Sequence, residues 1–207
     1  MLGEVKNGNA NDHELTEDEQ KYTFVKTHLT PNELDIENQD SPSIYLVRDG
    51  RDALISLAWH KTNIIEPGTN FESNLREAIL AAEGSYFSGW SKNVEKWIKK
   101  ASLIIFFEDL IKDPIKEVEK IREIYPELPK PKIENLPTFK SQKYGTPKYG
   151  SGKKIARGNS IYEKEITQKW FRKGSVNGWK NDFPKKLHDL FWSYHRNTMQ
   201  RMGFSYN

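Results

Sequence analysis

Lys26 and His28 are the residues in this sequence whose types and spacing most directly suit proton transfer. They lie in the segment Tyr22 to His28, which alternates and is rich in aromatic and β-branched residues, as strands are. Residues two apart on a strand project to the same face, so Lys26 and His28 are predicted side by side. An imidazole there could take a proton from an acceptor while the ammonium stabilises negative charge. Taken alone, a solvated lysine and a structural histidine remain the commoner arrangement.

A second candidate lies in the segment Val47 to Asp52, where an apolar run ends and a helix is predicted to begin, with Ser56 on that helix. A helix N-terminus offers unpaired N–H groups, and the planar guanidinium of Arg48 suits a phosphate. The alternative is that Arg48 and Arg51 only pair with the neighbouring aspartates on the surface. The local sequence leaves both interpretations open.

The third candidate is the basic stretch Phe171 to Lys180, in which Arg172 and Lys173 precede Gly174. Glycine lets the backbone approach a ligand closely, so side chains and N–H groups could surround a phosphate together. A plain basic turn before the last helix is the competing interpretation.

Two other sequence patterns are weaker evidence for a functional site. The segment from Gly145 to Lys154 resembles a phosphate-binding loop, but its second glycine is not followed directly by Lys-Ser or Lys-Thr, and no strand precedes it. A flexible basic gate over a ligand fits it better. No metal site is expected, because His188 and His195 share one helix face without a third ligand, and we expect both on the surface.

Strands and helices alternate along the chain, which predicts a parallel sheet flanked by helices, with ligands at the carboxyl ends of the strands. Strands are expected over 22–28, 43–48 and 102–107. Helices are expected over 51–62, 71–82, 86–100, 114–125 and 184–202. Residues 1–20 are interpreted as a mobile acidic leader and residues 126–161 as a long loop. The remainder, 21–207, is expected to form a single domain.

Composition limits the function classes. The chain has 207 residues, 36% hydrophobic and 29% charged, with no cysteine, which excludes disulfides and thiol chemistry. Its longest apolar runs are too short to cross a bilayer, and no signal peptide is apparent, so a cytoplasmic location without a membrane partner is expected. Charge is uneven: residues 140–207 hold 15 Lys/Arg against four Asp/Glu, whereas residues 1–42 hold three against ten. The basic end predicts an anionic partner.

In order and spacing, these segments resemble the sulfotransferase family, which moves a sulfo group from 3′-phosphoadenosine 5′-phosphosulfate (PAPS) to an acceptor. The resemblance covers nearly all of residues 21–204. It is carried by Phe24-Val25-Lys26-Thr27-His28-Leu29, by Ile44 to Asp52 with Ser56, by Phe106-Phe107-Glu108-Asp109-Leu110 with Asp113-Pro114, and by Arg172-Lys173-Gly174 with Gly178-Trp179-Lys180. Each motif alone is weak, whereas their joint occurrence by chance is improbable.

The resemblance implies an α/β fold of the P-loop-NTPase type and a role for each matching residue. His28 would be the general base, and Lys26 would neutralise charge near the sulfo group. PAPS would be the co-substrate, without a metal. The residues implied in nucleotide binding are Arg48, Ser56, Phe107, Thr138, Phe139, Phe171, Arg172, Lys173 and Gly174. Among them, Arg48, Ser56 and residues 171–174 would hold the 3′-phosphate, and Phe139 would stack on adenine.

The sequence departs from the family pattern at two places. Phe107 stands where many relatives have a tyrosine, which keeps the ring but loses a hydroxyl. Nothing before Lys26 matches the Pro-Lys-Ser-Gly-Thr type loop that cradles the 5′-phosphosulfate. We therefore expect a fold without its first strand and phosphate loop, either as a fragment or through loss of that loop.

Two function classes follow. The first is a sulfotransferase acting on a hydroxyl or amine of a small-molecule acceptor, which loops 62–70 and 126–161 would select. The second is a truncated or non-catalytic module that binds 3′,5′-adenosine bisphosphate (PAP), which the missing loop favours and the retained Lys26 and His28 disfavour. A nucleic-acid partner is disfavoured because the basic residues coincide with a small-ligand motif. The oligomeric state stays open.

Overall fold

The segments predicted as strands contain short parallel strands in the computed structural model. The structure describes residues 5–7, 24–34, 42–81, 89–144, 165 and 168–207. Strands β1 (Val5–Asn7) and β2 (Phe24–Lys26) pair in parallel. Strands β3 (Ile44–Val47) and β4 (Leu103–Phe106) also pair in parallel, in register from Ile44 opposite Leu103 to Val47 opposite Phe106. The expected α/β class with parallel strands is confirmed.

Strand β1 lies within the predicted acidic leader, and the rest of that leader is outside the described residues. A three-residue strand is too short for a periodicity test, and its pairing partner lies on β2, so no local pattern signals it. The mobile leader itself stays a prediction.

By contacts, the chain divides into two compact units. The first contains residues 1–48 and 82–133, and the second contains residues 49–81 and 134–207. Each unit is therefore assembled from two stretches that are distant in sequence. The assignment of 21–207 to one domain stays a prediction.

The first unit packs around Trp97, at the end of helix α3 (Trp90–Trp97). The Trp97 ring stacks on Tyr45 of β3 with centroids 5.8 Å apart, and its indole N–H donates to the Leu29 carbonyl over 3.2 Å. The Tyr45 hydroxyl in turn donates to Asn93 Oδ1 over 2.9 Å. One aromatic pair thus fixes β3, α3 and the chain after β2 together.

Two further helices complete the first unit. Helix α4 (Phe107–Lys112) follows β4 directly, and helix α5 (Pro114–Ile124) begins after Asp113, whose carboxylate accepts from the Lys116 N–H. The Asp-Pro pair is a helix start signal, because aspartate caps the free N–H groups and proline fits the first turn. A short 3₁₀ turn, Ile133–Asn135, follows where the unit ends.

Helix α1 (Gly50–His60) opens the second unit and continues into a π-helical turn, Lys61–Ile65. It packs on helix α2 (Phe71–Ile79), which in turn packs on the long C-terminal helix α8 (Lys185–Arg201). The side chains that fill this core are Leu54, Ile55, Ala58, Leu75, Ala78, Ile79, Leu187, Phe191 and Met199. Within the described residues, no helix is long and apolar enough to cross a membrane.

Both C-terminal histidines are buried, contrary to the expectation that they lie on the surface. His195 Nε2–H donates to the Ile79 carbonyl over 3.0 Å, and the His188 ring stacks on Trp179 at 5.1 Å. Their seven-residue spacing is the spacing of one helix face, and here that face is the core face. This core face tolerates histidine because the His195 ring donates to a helix-end carbonyl and the His188 ring packs against an aromatic ring.

The region predicted as a long loop contains helix α6 (Phe139–Tyr144), capped by Thr138, whose hydroxyl accepts from the Ser141 N–H over 3.1 Å. Surrounding prolines and lysines concealed this short helix. The following residues 145–161, including the loop-like segment 145–154, lie outside the described residues.

The Asp52 carboxylate is a buried connection within the second unit. Its Oδ1 accepts from the Trp179 backbone N–H over 2.7 Å, at the start of helix α7 (Trp179–Asp182). We expect Asp52→Ala to lower the free energy of unfolding by about 2 kcal/mol, because it leaves that buried N–H without its charged acceptor. Urea denaturation measures this change.

The exposed Glu72 of α2 supplies the control, since Glu72→Ala removes a carboxylate from the same unit without breaking a buried bond. It should change stability by less than about 0.5 kcal/mol. Equal stability of the two variants would show that the Asp52 bond contributes nothing to the fold.

Candidate nucleotide and proton-transfer sites

Lys26 ends β2 and His28 lies two residues beyond that end, so the strand is shorter than predicted and the side-by-side placement of the two side chains stays a prediction. Both side chains are exposed. Desolvation by neighbouring atoms and, second, the Lys26 charge lower the pKa of His28 below its ordinary value of 6.5. A neutral imidazole therefore dominates at neutral pH, which is the form that accepts a proton.

The chain after His28 is firmly anchored. Leu29 is buried and its carbonyl accepts from Trp97, while the Thr30 backbone N–H and hydroxyl both donate to Glu33 Oε2, over 2.7 and 2.6 Å. These bonds hold an exposed imidazole on a fixed piece of backbone. Such a placement suits a group that must meet a substrate in one geometry.

Arg48 follows β3, and its guanidinium lies 4.5 Å from the ring centroid of Phe107, the first residue of α4. The Arg48 carbonyl also accepts from the Trp90 indole N–H over 3.2 Å. The first unit therefore brings together two of the residues implied in nucleotide binding, although they are far apart in sequence. Because the interaction with the ring needs no hydroxyl, phenylalanine at 107 can position Arg48.

Arg51 is buried and makes several contacts within the fold. Its guanidinium pairs with the Asp49 carboxylate at 2.7 Å, donates to the Tyr206 carbonyl at 2.9 Å and lies 3.6 Å from the Trp179 ring centroid. The alternative of local Arg-Asp pairing is thus correct for Arg51, except that the pair is buried, with side-chain exposures of 3% and 5%. Burial explains the multiple partners, because a buried charge needs its donors satisfied.

Phe139, Phe171 and Gly174 meet in the second unit. The two phenyl rings pack edge to face with centroids 6.2 Å apart. Gly174 has φ +60, and a Cβ at this position would overlap two carbons of the Phe139 ring. The basic loop therefore presses its backbone against Phe139, which is the kind of close approach that the glycine in the motif permits.

The two cations of this loop share one carboxylate. Arg172 Nη1 lies 2.6 Å from Asp182 Oδ2, and Lys173 Nζ lies 2.8 and 2.7 Å from the two carboxylate oxygens. The Arg172 carbonyl accepts from Lys143 of α6 over 2.9 Å. Arg172 also lines a cavity of about 380 Å³ bordered by Trp59 and Tyr144. We call Arg172, Lys173, Asp182 and Lys143 the basic cluster, which borders this cavity.

The remaining predicted residues have simpler surroundings. Ser56 lies half-buried on α1, and the Thr138 hydroxyl caps α6. No group of His, Asp and Glu side chains suited to a metal ion occurs among the described residues.

A family model described as "Sulfotransferase domain" matches residues 5–203. The chain belongs to the sulfotransferase family.

Curated sulfotransferases match at moderate identity. The chain is 26% identical over 191 residues to mouse Sulfotransferase 1E1, a match that covers 86% of this chain and 62% of that protein. It is 26% identical over 198 residues to bovine Sulfotransferase 1A1, covering 90% and 65%. The match to mouse Sulfotransferase 2A1 is 29% identical over 153 residues and covers 68% and 50%. The chain spans less than two thirds of the length of these relatives.

Solved structures show the same fold. Mouse sulfotransferase SULT7A1 complexed with PAP superposes with a TM-score of 0.68 at 20% identity, covering 95% of this chain and 75% of that one. Retinol dehydratase in complex with androsterone and the inactive cofactor PAP gives 0.66 at 21% identity, covering 90% and 55%. The sulfotransferase fold expected from the resemblance is therefore confirmed.

Two members of the basic cluster, Asp182 and Lys143, are not among the predicted site residues. A usable signal existed for one of them, because Asp182 is the sole acidic residue between 166 and 188. A single carboxylate in a basic stretch is expected to find a cationic partner. Lys143 could not be found this way, since its contact depends on how α6 packs.

The Gly174 contact yields a stability test. Gly174→Ala adds a left-handed backbone penalty of about 1 kcal/mol and, in addition, a clash with Phe139 of about 1–3 kcal/mol. Gly68→Ala is the matched control, because Gly68 has φ +90 and an added methyl group would meet nothing within 4 Å. Urea denaturation should show a larger loss for Gly174→Ala.

Removal of the Phe139 ring tests whether Gly174→Ala loses stability through a clash with that ring. We expect Gly174→Ala combined with Phe139→Ala to be more stable than the sum of the two single changes predicts, as groups in contact are not additive. Equal losses at Gly174 and Gly68, or strict additivity, would contradict the close approach.

Proposed function

We propose that this chain binds PAPS and transfers its sulfo group to a hydroxyl or amine of a small-molecule acceptor. The observation that carries the proposal is the convergence of Phe139 and Phe171 with the Arg172-Lys173-Gly174 loop within one unit. The resemblance assigned these residues to one nucleotide, although Phe139 is distant from the loop in sequence. Their meeting supports a common ligand.

The surroundings of this loop fit the 3′-phosphoadenosine part of the donor. Phe139 is 41% exposed, so part of its aromatic ring is available for a base. Next to it, Arg172 and Lys173 supply cationic N–H donors of the kind that hold a phosphate. Gly174 lets the backbone approach, since any side chain would strike Phe139. An adenosine carrying a phosphate on its ribose matches this order of groups.

Arg48 offers a further phosphate contact in the first unit. Its guanidinium lies near the Phe107 ring, which limits its rotation and so reduces the entropy lost on binding an anion. We assign Arg48 and Ser56 to the 3′-phosphate on the family resemblance.

His28 is assigned as the general base. Its imidazole removes the proton from the acceptor hydroxyl or amine while the acceptor atom forms a bond to sulfur. The bond from sulfur to the bridging phosphate oxygen breaks, and its electron pair leaves with PAP. Lys26 stabilises the charge that develops on the transferring group. Since the sulfo group needs no covalent intermediate with the protein, positioning and charge stabilisation supply the rate.

Lys26 and His28 are also linked through the pKa. Together with desolvation, the ammonium lowers the pKa of His28, which keeps the imidazole neutral at pH 7. A base with a lower pKa accepts a proton less readily, but more of it is in the correct form. At pH 7 the imidazole of His28 is therefore a weaker base, but a larger fraction of it is in the neutral form that accepts a proton.

The test is transfer of radiolabelled sulfate from PAPS to a panel of phenols, alcohols and amines. We expect His28→Ala to reduce transfer about 100-fold or more while PAP affinity stays within about twofold, because a general base acts in the chemical step. The exposed Asn32, four residues on, supplies the control Asn32→Ala, which should retain activity.

The pH dependence checks the same assignment. kcat/KM should fall as pH drops through the pKa of His28, below 6.5, because the protonated imidazole cannot act as a base. Lys26→Gln should move this limb to higher pH. Transfer that survives in His28→Ala would refute the base assignment, and PAP binding without transfer to any acceptor would favour the non-catalytic module.

A further inference from the structure

Asp182 holds the two cations assigned to the 3′-phosphate. It accepts from Arg172 Nη1 at 2.6 Å and from Lys173 Nζ at 2.7 Å through the same oxygen, Oδ2. Asp182 ends α7, so this carboxylate comes from outside the basic loop itself. The pairing is therefore a specific arrangement between two elements and does not follow from neighbouring positions in the sequence.

The carboxylate uses the same donors that a phosphate would use. Carboxylate and phosphate oxygens both accept charge-assisted hydrogen bonds from guanidinium and ammonium groups at the same distances. Arg172 Nη1 and Lys173 Nζ are engaged by Asp182, so a phosphate at this position must share or take over these N–H groups.

The carboxylate is charged at neutral pH. Burial raises the pKa of Asp182, but hydrogen bonds from Lys173 and Arg172 outweigh burial and bring it below the ordinary carboxyl value. Arg172, Lys173 and Asp182 together carry a net charge of +1, whereas a phosphate monoester carries a charge of about −2 at pH 7. The negative charge of Asp182 is thus opposed to that of the ligand.

Exchange of partners is feasible because the ion pair is not deeply buried. The Lys173 side chain is 47% exposed and that of Asp182 is 21% exposed, so this pair is weak, whereas Arg172 is the more buried partner at 14%. The Arg172 backbone is held separately, since its carbonyl accepts from Lys143. Release of Asp182 would therefore free the side chains without releasing the loop from α6.

We propose that Asp182 competes with the ribose 3′-phosphate for Arg172 and Lys173 and so sets the affinity of the site for 3′-phosphorylated nucleotides. This inference rests on the proposed nucleotide function. It predicts that Asp182 weakens binding of PAP but not of a nucleotide that lacks the 3′-phosphate. Such a nucleotide has no group that would compete with the carboxylate for Arg172 and Lys173. Asp182 is then a specificity-determining residue that the family motif does not include.

The experiment is calorimetric titration of the full chain with PAP and with adenosine 5′-phosphate. Asp182→Asn keeps the shape and one acceptor oxygen but removes the charge. We expect it to bind PAP about tenfold more tightly than wild type, while affinity for adenosine 5′-phosphate stays within about twofold. Glu72→Gln removes one negative charge from an exposed position on α2 and should bind both nucleotides as wild type does.

Asp182→Glu is the second variant, because a longer carboxylate can still reach both cations. It should bind PAP at least as weakly as wild type, and Asp182→Ser replaces the Asn variant if the latter does not fold. If wild type binds PAP no better than adenosine 5′-phosphate, the proposed function fails. If wild type prefers PAP but Asp182→Asn leaves that affinity unchanged or weaker, the competition is refuted and the nucleotide function stands.

Discussion

The buried contact between helix α1 and Trp179 is the constraint on which the second unit depends. Asp52 accepts the Trp179 backbone N–H, and the Arg51 guanidinium lies on the Trp179 ring while it pairs with Asp49. Trp179 lies near the end of the basic stretch that begins at Phe171, so this contact fixes one end of that stretch. Two sequence motifs from opposite halves of the chain are thus joined by a single aromatic residue. Because the charges involved are buried, removing one of them leaves a buried partner less well compensated.

The other end of the same stretch is fixed against α6. Phe139 packs on Phe171 and against the Gly174 backbone, and Lys143 holds the Arg172 carbonyl. With both ends held, the side chains of Arg172 and Lys173 can respond to an anion while the backbone stays in place. A preorganised loop of this kind lowers the entropy lost on binding. Under the proposed function, this loop is the phosphate-binding part of the basic C-terminal region, and Asp182 neutralises part of its charge in the absence of a ligand.

Much of this architecture follows from local sequence. The strands β2, β3 and β4 lie within the predicted segments, because β-branched and aromatic residues between polar boundaries signal strands reliably. What escaped prediction depended on packing. Helix α6 is short and surrounded by prolines, and His195 is buried because a helix-end carbonyl accepts its ring N–H. The isolated Asp182 could be expected to pair with a cation, but its sharing between Arg172 and Lys173 depends on how α7 packs. The local sequence also could not tell whether Arg48 and Arg51 pair with neighbouring aspartates or bind a ligand. Arg51 packs on Trp179 and pairs with Asp49, whereas Arg48 lies on Phe107, and these contacts depend on packing.

The central claim is that Arg172 and its loop recognise a phosphate on the ribose 3′ position. The most direct measurement is the ratio of dissociation constants for adenosine 5′-phosphate and PAP, compared between wild type and Arg172→Gln. We expect wild type to prefer PAP by about 100-fold, since a charge-assisted contact to a phosphate contributes about 2–3 kcal/mol. In Arg172→Gln this preference should fall by about tenfold or more, with the remainder supplied by the other groups assigned to the phosphate, Lys173, Arg48 and Ser56. A preference for PAP that is unchanged in Arg172→Gln would contradict the account.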